Sequence, residues 1–239
     1  MSLADQDKRY GLLIVDLQND FLHPNGAYAR GKTTSVEAAA LPARMRPLAQ
    51  AMKTRAQGLV CASLFTLWPN ASGEPMVSPH LLSKRGFLKK GDFSPGSGGQ
   101  SVGEELKDTV DVCVQKVAYS AFFNTQLDWV LRRAGVNTLV VCGIVTNGGV
   151  ASSVRDAHVR DYDTVVLSDG CAAFTPAQHQ SALDDMASVA QVMSCAEWLG
   201  QLSPLGSSFG SSLASSLASS LASSLASSLG SNNSPSAGA

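Results

Sequence analysis

The stretch Thr138-Leu139-Val140-Val141-Cys142-Gly143-Ile144-Val145-Thr146-Asn147-Gly148-Gly149 decides the fold. Residues 138–142 are so uniformly apolar that both faces of the strand they predict must be covered, the condition of a strand inside a parallel sheet. The glycines that follow open what reads as a helix over residues 146–160. Glycine at a helix start lets a ligand approach the backbone, where amide N–H groups and the helix dipole favour an anionic oxygen. The same glycines also suit a tight strand-to-helix turn on steric grounds alone. Spacing leaves both readings open.

Working outward from that stretch, apolar runs and amphipathic segments alternate. Gly11-Leu12-Leu13-Ile14-Val15 predicts a first strand that ends in the polar Asp16-Leu17-Gln18-Asn19-Asp20. A helix follows with Leu41, Met45, Leu48 and Met52 on one stripe, interrupted by Pro42 and Pro47. Further strands are predicted over residues 59–65, 110–117, 164–167 and 189–193. Helices are predicted over 126–134, where Gly135 supplies a stop, over 176–187, with proline in the first turn, and over 195–202. This alternation predicts an α/β fold, a three-layer αβα sandwich around a central parallel β-sheet. Residues 68–103 are rich in Gly, Pro and Ser and far exceed the ~4 to 6 residues of an ordinary connection, which marks them as a functional loop. Within them, Gly96-Ser97-Gly98-Gly99 reads as a flexible lid rather than a dinucleotide loop, because no strand precedes it.

The 239 residues carry 18 basic and 19 acidic side chains, a formal charge of -1. Polyanion-binding proteins normally carry a basic surplus, so no nucleic-acid partner is expected. Every charged residue precedes Leu199, residues 204–239 are uncharged, and from Gly206 onward the sequence becomes a Ser-Ser-Leu-Ala repeat. Serine competes for backbone hydrogen bonds and forms helices poorly, so this tail is expected to be disordered. The expected organisation is a leader over residues 1–9, one domain over 10–203 and the tail over 204–239. No apolar run reaches the ~18 to 20 residues of a membrane span, and the charged start is unlike a secretory signal. A cytoplasmic protein without a membrane partner is expected. The five cysteines are odd in number and widely spaced, which argues against a disulfide framework.

In an open parallel sheet, ligands bind beyond the carboxyl ends of the strands. Asp16 follows the first strand, Lys116 ends the third and the glycine turn follows the fourth. An ammonium in an apolar strand end such as Val114-Gln115-Lys116-Val117 is costly to bury unless an anion meets it. Asp16 is the natural partner, the alternative being that Lys116 points to solvent.

These residues together resemble the isochorismatase-like, or cysteine hydrolase, superfamily. The likeness rests on Leu13-Ile14-Val15-Asp16-Leu17-Gln18-Asn19-Asp20-Phe21, on Lys116 with Tyr119-Ser120-Ala121-Phe122, and on Gly143-Ile144-Val145-Thr146-Asn147. Val154-Arg155-Asp156-Ala157 and Asp169-Gly170-Cys171-Ala172 extend it. The resemblance implies Asp16 and Lys116 as two members of an Asp-Lys-Cys triad, and an oxyanion hole around a cis peptide between Ile144 and Val145. It also implies a small-molecule substrate and a homo-oligomer. Gln18, Phe21, Trp68, Val145, Thr146, Asn147 and Gly148 are the expected substrate-binding residues.

The third triad member is absent. Gly149 stands at the usual cysteine position, so the covalent route of the amidase members is closed there. The isochorismatase branch shares a glycine at that position and hydrolyses a vinyl ether to pyruvate and a dihydrodiol, chemistry that needs a proton and a water rather than a thiol. Asp16 would be the general acid. Yet Thr146-Asn147 follows the amidase pattern, where that branch carries Ala-His. The expected activity is therefore hydrolysis of an enol ether or related bond by Asp- and Lys-assisted water attack. The alternatives are a non-catalytic ligand-binding relative, or an amidase whose cysteine became Gly149. The four histidines are dispersed and Leu67-Trp68-Pro69-Asn70 lacks a zinc set, so no metal and no cofactor are expected. Trp68, Phe87 and Phe93 either contact a ring-shaped substrate or anchor their loop. Arg85, Lys89 and Lys90 either meet a carboxylated substrate or form a solvated cluster.

Overall fold

A computed structural model of the chain describes residues 8–202. The expectations for residues 1–7 and for the Ser/Leu/Ala tail lie outside the described residues.

Six strands, β1 (Tyr10–Val15), β2 (Leu59–Phe65), β3 (Val112–Lys116), β4 (Thr138–Ile144), β5 (Asp163–Ala172) and β6 (Gln191–Met193), form one sheet in the order β3-β2-β1-β4-β5-β6. Every neighbouring pair is parallel. The helices are α1 (Asn19–Leu22), α2 (Ala27–Arg30), α3 (Val36–Thr54), α4 (Pro79–Lys84), α5 (Leu127–Arg133), α6 (Ala151–His158), α7 (Pro176–Met186) and α8 (Cys195–Gln201). Helices α3 and α8 pack on one face of the sheet, and α6 and α7 on the other. This is the predicted three-layer sandwich.

Alternation along the strands builds the two cores. Leu13, Val15, Leu139 and Val141 join Leu127 and Leu131 of α5, Val154 of α6 and Met186 of α7 in one buried cluster. Period-two geometry turns the intervening Leu12, Ile14 and Val140, all fully buried, to the opposite face. There the stripe Leu41, Met45, Leu48 and Met52 of α3 is buried as its spacing predicted, with Pro42 and Pro47 held inside the helix. Helix α3 starts on Ser35, whose hydroxyl accepts from Ala38 N, a cap that supplies one acceptor for the helix's unpaired first-turn amides.

Strand order reverses between β1 and β4, so the chain leaving β1 turns to the α3 face and the chain leaving β4 to the α6 face, which leaves a crevice beyond their carboxyl ends at this switch point. Gly143 enables the close approach of the two strands. Its φ is +120°, and a Cβ there would stand 2.1 Å from Val15 O. Two segments differ from their sequence prediction. β5 continues through Ser168-Asp169-Gly170 to Ala172, past the polar break where the apolar run ends, because its register against β4 shifts between Val141 and Gly143. The predicted helix over 146–160 is divided into a wide π turn, Thr146–Val150, followed by α6.

Candidate active site

Asp16 leaves the end of β1 with φ +56°, in the left-handed region that short polar side chains tolerate better than most. Its amide donates to Ser63 O at 3.1 Å, tying the turn to β2. The carboxylate is buried. Oδ2 lies 2.7 Å from Lys116 Nζ, and Oδ1 accepts from Ser63 Oγ at 3.1 Å. Lys116, at the end of β3, reaches across β2 and is itself buried, with 1% of its side chain exposed. The solvent-facing alternative for this lysine is thereby excluded. Its ammonium also donates to Ala118 O at 2.9 Å and Tyr119 O at 3.0 Å. An ammonium has three donors, so all three are engaged and Lys116 is a fixed charge.

Two opposing influences act on Asp16. Burial disfavours its charged form, whereas the Lys116 ammonium and the Ser63 hydroxyl favour it. Burial dominates, and the carboxyl is held above its ordinary 3.8. A group in that state retains a proton to higher pH than a free aspartate. It is suited to general-acid work.

The peptide between Ile144 and Val145 is cis. Beyond it, the π turn brings Gly149 back against the carboxylate. A Cβ at Gly149 would stand 3.3 Å from Asp16 Oδ2, 3.1 Å from Ile144 O and 3.0 Å from Val15 Cγ1. The glycine therefore occupies the place from which a third side chain would meet the pair.

A cavity of about 750 Å³ opens above these groups, bounded by Asp16, Lys116, Ile144, Val145 and Gly149 at its floor. Its walls are largely aromatic: Phe21, Tyr28, Phe65, Phe87, Tyr119 and Phe174. Helix α4 and the residues beside it contribute Ser78, His80, Leu81, Lys84 and Arg85. The volume falls within the ~300 to 1,000 Å³ of small-molecule sites.

Of the residues expected to bind substrate, Phe21 and Val145 line this cavity and the others stand elsewhere. Gln18 is fully buried and its amide is spent on backbone. Oε1 accepts from Phe65 N at 2.7 Å, and Nε2 donates to Phe65 O at 3.0 Å and Gln100 O at 2.9 Å. It is a clamp between β2 and the long loop. Trp68 is 47% exposed, outside the wall. Thr146 is buried with Oγ1 2.8 Å from His179 Nδ1, Asn147 is exposed, and Gly148 is buried beneath the Tyr119 ring and Val145. The segment expected to be a lid is bolted to α1 instead: Gly98 O accepts from Asn19 Nδ2 at 2.8 Å and Gly99 O from Asp20 N at 2.8 Å. Phe93 anchors that loop in a buried aromatic cluster, whereas Phe87 reaches the cavity. Among the described residues no three His, Cys, Asp or Glu side chains gather as metal ligands would, and no helix is long and apolar enough to cross a membrane.

The sequence reading overlooked Ser63, Tyr28 and Phe174. Ser63 had a signal: a lone hydroxyl in the buried run Leu59–Phe65 requires a partner. Tyr28 comes from the one-turn helix α2 and Phe174 from the link between β5 and α7, segments too short to show periodicity, and only the tertiary fold brings their rings together.

The family model of the isochorismatase domain matches residues 10–197. A ureidoacrylate amidohydrolase of Yersinia enterocolitica is 37% identical over 116 residues, 48% of this chain and 44% of that protein. A probable inactive nicotinamidase of Arabidopsis thaliana is 28% identical over 211 residues, 84% of this chain and 100% of that protein. A crystal structure of a cysteine hydrolase from Pseudomonas syringae superposes with a TM-score of 0.69 at 27% identity, covering 81% of this chain and 92% of that one. The chain spans half or less of the length of the curated relatives with which it shares 37 to 41% identity.

Proposed function

The chain belongs to the isochorismatase domain family, and from that premise we propose that it is a hydrolase of a small molecule that uses Asp16 as general acid and water as nucleophile, with no covalent intermediate. One observation carries this reading. The site where a nucleophilic side chain would begin lies 3.3 Å from the Asp16 carboxylate and is bare. The space beside the acid is left to a substrate atom or a water.

For an enol ether, the chemistry proceeds as follows. Asp16 transfers its proton to the terminal methylene carbon, the C=C electron pair forms the new C–H bond, and the positive charge is shared with the ether oxygen. Water adds to the carbon that bears the ether oxygen and returns a proton to the Asp16 carboxylate. The resulting hemiketal expels the alcohol and leaves a ketone, with one water consumed. Lys116, its donors committed to Asp16, Ala118 O and Tyr119 O, holds the carboxyl in place and balances the charge it acquires after proton transfer. Burial keeps the acid form available.

Thr146-Asn147 and the relatives named above favour a second reading, an amidase that has exchanged its cysteine for Gly149. A cytoplasmic location and a homo-oligomeric state belong to this proposal by resemblance to the family. The deciding experiment assays the parent, Asp16→Asn and Gly149→Cys on an enolpyruvyl ether, by pyruvate release, and on ureido and amide substrates, by ammonia release. We expect the parent to release pyruvate and Asp16→Asn to lose on the order of 100-fold or more. A parent inert toward the ether, with Gly149→Cys gaining ammonia release, would establish the second reading instead.

A further inference from the structure

Once Asp16 and Lys116 are paired, the charges left on the cavity wall are Lys84 and Arg85, both positive, with no second carboxylate among the lining residues. Arg85 caps the end of α4 and is half-buried. Its Nε donates to Tyr28 Oη at 2.6 Å and its Nη2 lies 3.4 Å from Tyr119 Oη. Both partners are phenol hydroxyls, not carboxylates. The other guanidiniums of the described fold that reach acids, Arg30, Arg46, Arg132, Arg155 and Arg160, each pair with an aspartate. Among the described residues Arg85 pairs with none. A guanidinium carries five N–H donors, and two phenols leave the rest for another acceptor.

The surroundings suggest what that acceptor is. The two tyrosines fix the plane of the guanidinium, and a planar fork in a fixed orientation matches the two oxygens of a carboxylate. Beside it, the rings of Tyr28 and Phe174 lie stacked, 5.9 Å apart and 11° from parallel, while Phe21 and Phe65 continue the apolar wall toward Asp16. The cavity thus offers a cationic fork, flat apolar surfaces and an acid.

We infer that the cavity selects a small molecule with a carboxylate and a flat, unsaturated or aromatic body, and that Arg85, held in plane by Tyr28 and Tyr119, binds the carboxylate and determines specificity. The inference rests on the reading of this cavity as the substrate site, but binding tests it independently of turnover. Benzoate and benzamide share a ring and differ in charge, and calorimetric titration of each against the parent, Arg85→Met, Arg85→Lys and Asp16→Asn provides the test. The parent is expected to prefer benzoate by on the order of tenfold or more, and Arg85→Met to lose that preference. Arg85→Lys is expected to retain part of it, through charge without the fork. Asp16→Asn, whatever its turnover, should keep the preference, so a failed reaction and a failed carboxylate clamp give different results. If Arg85 merely ties α4 to the tyrosines, Arg85→Met will melt earlier while the benzoate preference persists. That outcome overturns the inference, as does a parent that binds neither compound or prefers the amide.

Discussion

Gly149 and Asp16 are neighbours with nothing between them: a methyl group on the glycine would touch the carboxylate at 3.3 Å while pressing on Val15 Cγ1 at 3.0 Å and Ile144 O at 3.1 Å. The glycine is thus both the opening beside the acid and a point of tight packing. Gly149→Ala should destabilise the fold by about 1 kcal/mol, the low end of overpacking costs, and should lower kcat by filling the space assigned to water. Thermal denaturation and steady-state kinetics on one preparation check both effects. An alanine variant of unchanged melting temperature and full activity would contradict the tight fit.

Removing one partner of a buried ion pair leaves the other uncompensated. Lys116→Met is expected to cost about 3 to 5 kcal/mol if Asp16 stays ionised, and less to the extent that the carboxyl takes up a proton. Asp16→Asn combined with Lys116→Met should recover part of the loss, since no buried charge then remains. Urea denaturation of the two single variants and the double variant gives the coupling. Strict additivity would show that the pair does not act as a unit.

The pH dependence follows from the direction of the Asp16 shift. A carboxyl held above its ordinary 3.8 in the folded state binds its proton more tightly there than in the unfolded chain. Its contribution to stability is therefore complete below 3.8 and is lost as pH rises through the folded value. The difference in unfolding free energy between the parent and Asp16→Asn should change over that window and level off on either side. If Asp16 is the general acid, kcat/KM should fall through the same window as pH rises. A rise there would make it a base.

Ser63 adjusts that window. Its hydroxyl donates to Asp16 Oδ1 and favours the charged form. Ser63→Ala should therefore move the descending limb of the pH–rate profile to higher pH. The measurement is the limb's midpoint in the two proteins, and a shift to lower pH would contradict the assignment.

Gln18→Glu tests the clamp. The substitution replaces the amide that donates to Phe65 O and Gln100 O with a buried carboxylate oxygen facing both carbonyls. A loss of roughly 2 kcal/mol or more is expected from the unmet carbonyls and the buried charge. Hydrogen exchange should accelerate at Phe65 and in the loop around Gln100. Unchanged exchange would show that the loop is held by other contacts.

The strands were legible because a parallel sheet with both faces covered leaves a plain apolar mark, and the Asp16–Lys116 pair was legible because a lysine in such a strand requires an anion. Gly149 was legible only through family likeness, since a glycine turn alone is also explained by sterics. What the sequence concealed came from irregular chain. Gln18 stands two residues from Asp16 in the same polar turn, and nothing in its neighbours distinguishes a side chain aimed at substrate from one aimed at backbone. The Gly96–Gly99 run has the composition of a mobile flap, yet its carbonyls are taken by Asn19 and Asp20. For Arg85, Lys89 and Lys90 the sequence left two readings, contact with a carboxylated substrate or a solvated cluster, and did not separate the three. The fold separates them, sending Lys90 to Ser72 O and Arg85 to two tyrosines.

The tight pairing of β1 and β4 at Gly143 limits how the site can be re-engineered. With Val15 O only 2.1 Å from where a first side-chain carbon would be, a randomised library spanning this turn should return glycine at 143 under every selection, even one applied for foldedness alone. Diversity aimed at new substrates is better spent on Leu81, Arg85, Phe87 and Phe174, whose side chains face the chamber from its far wall and leave the seam between the two strands intact.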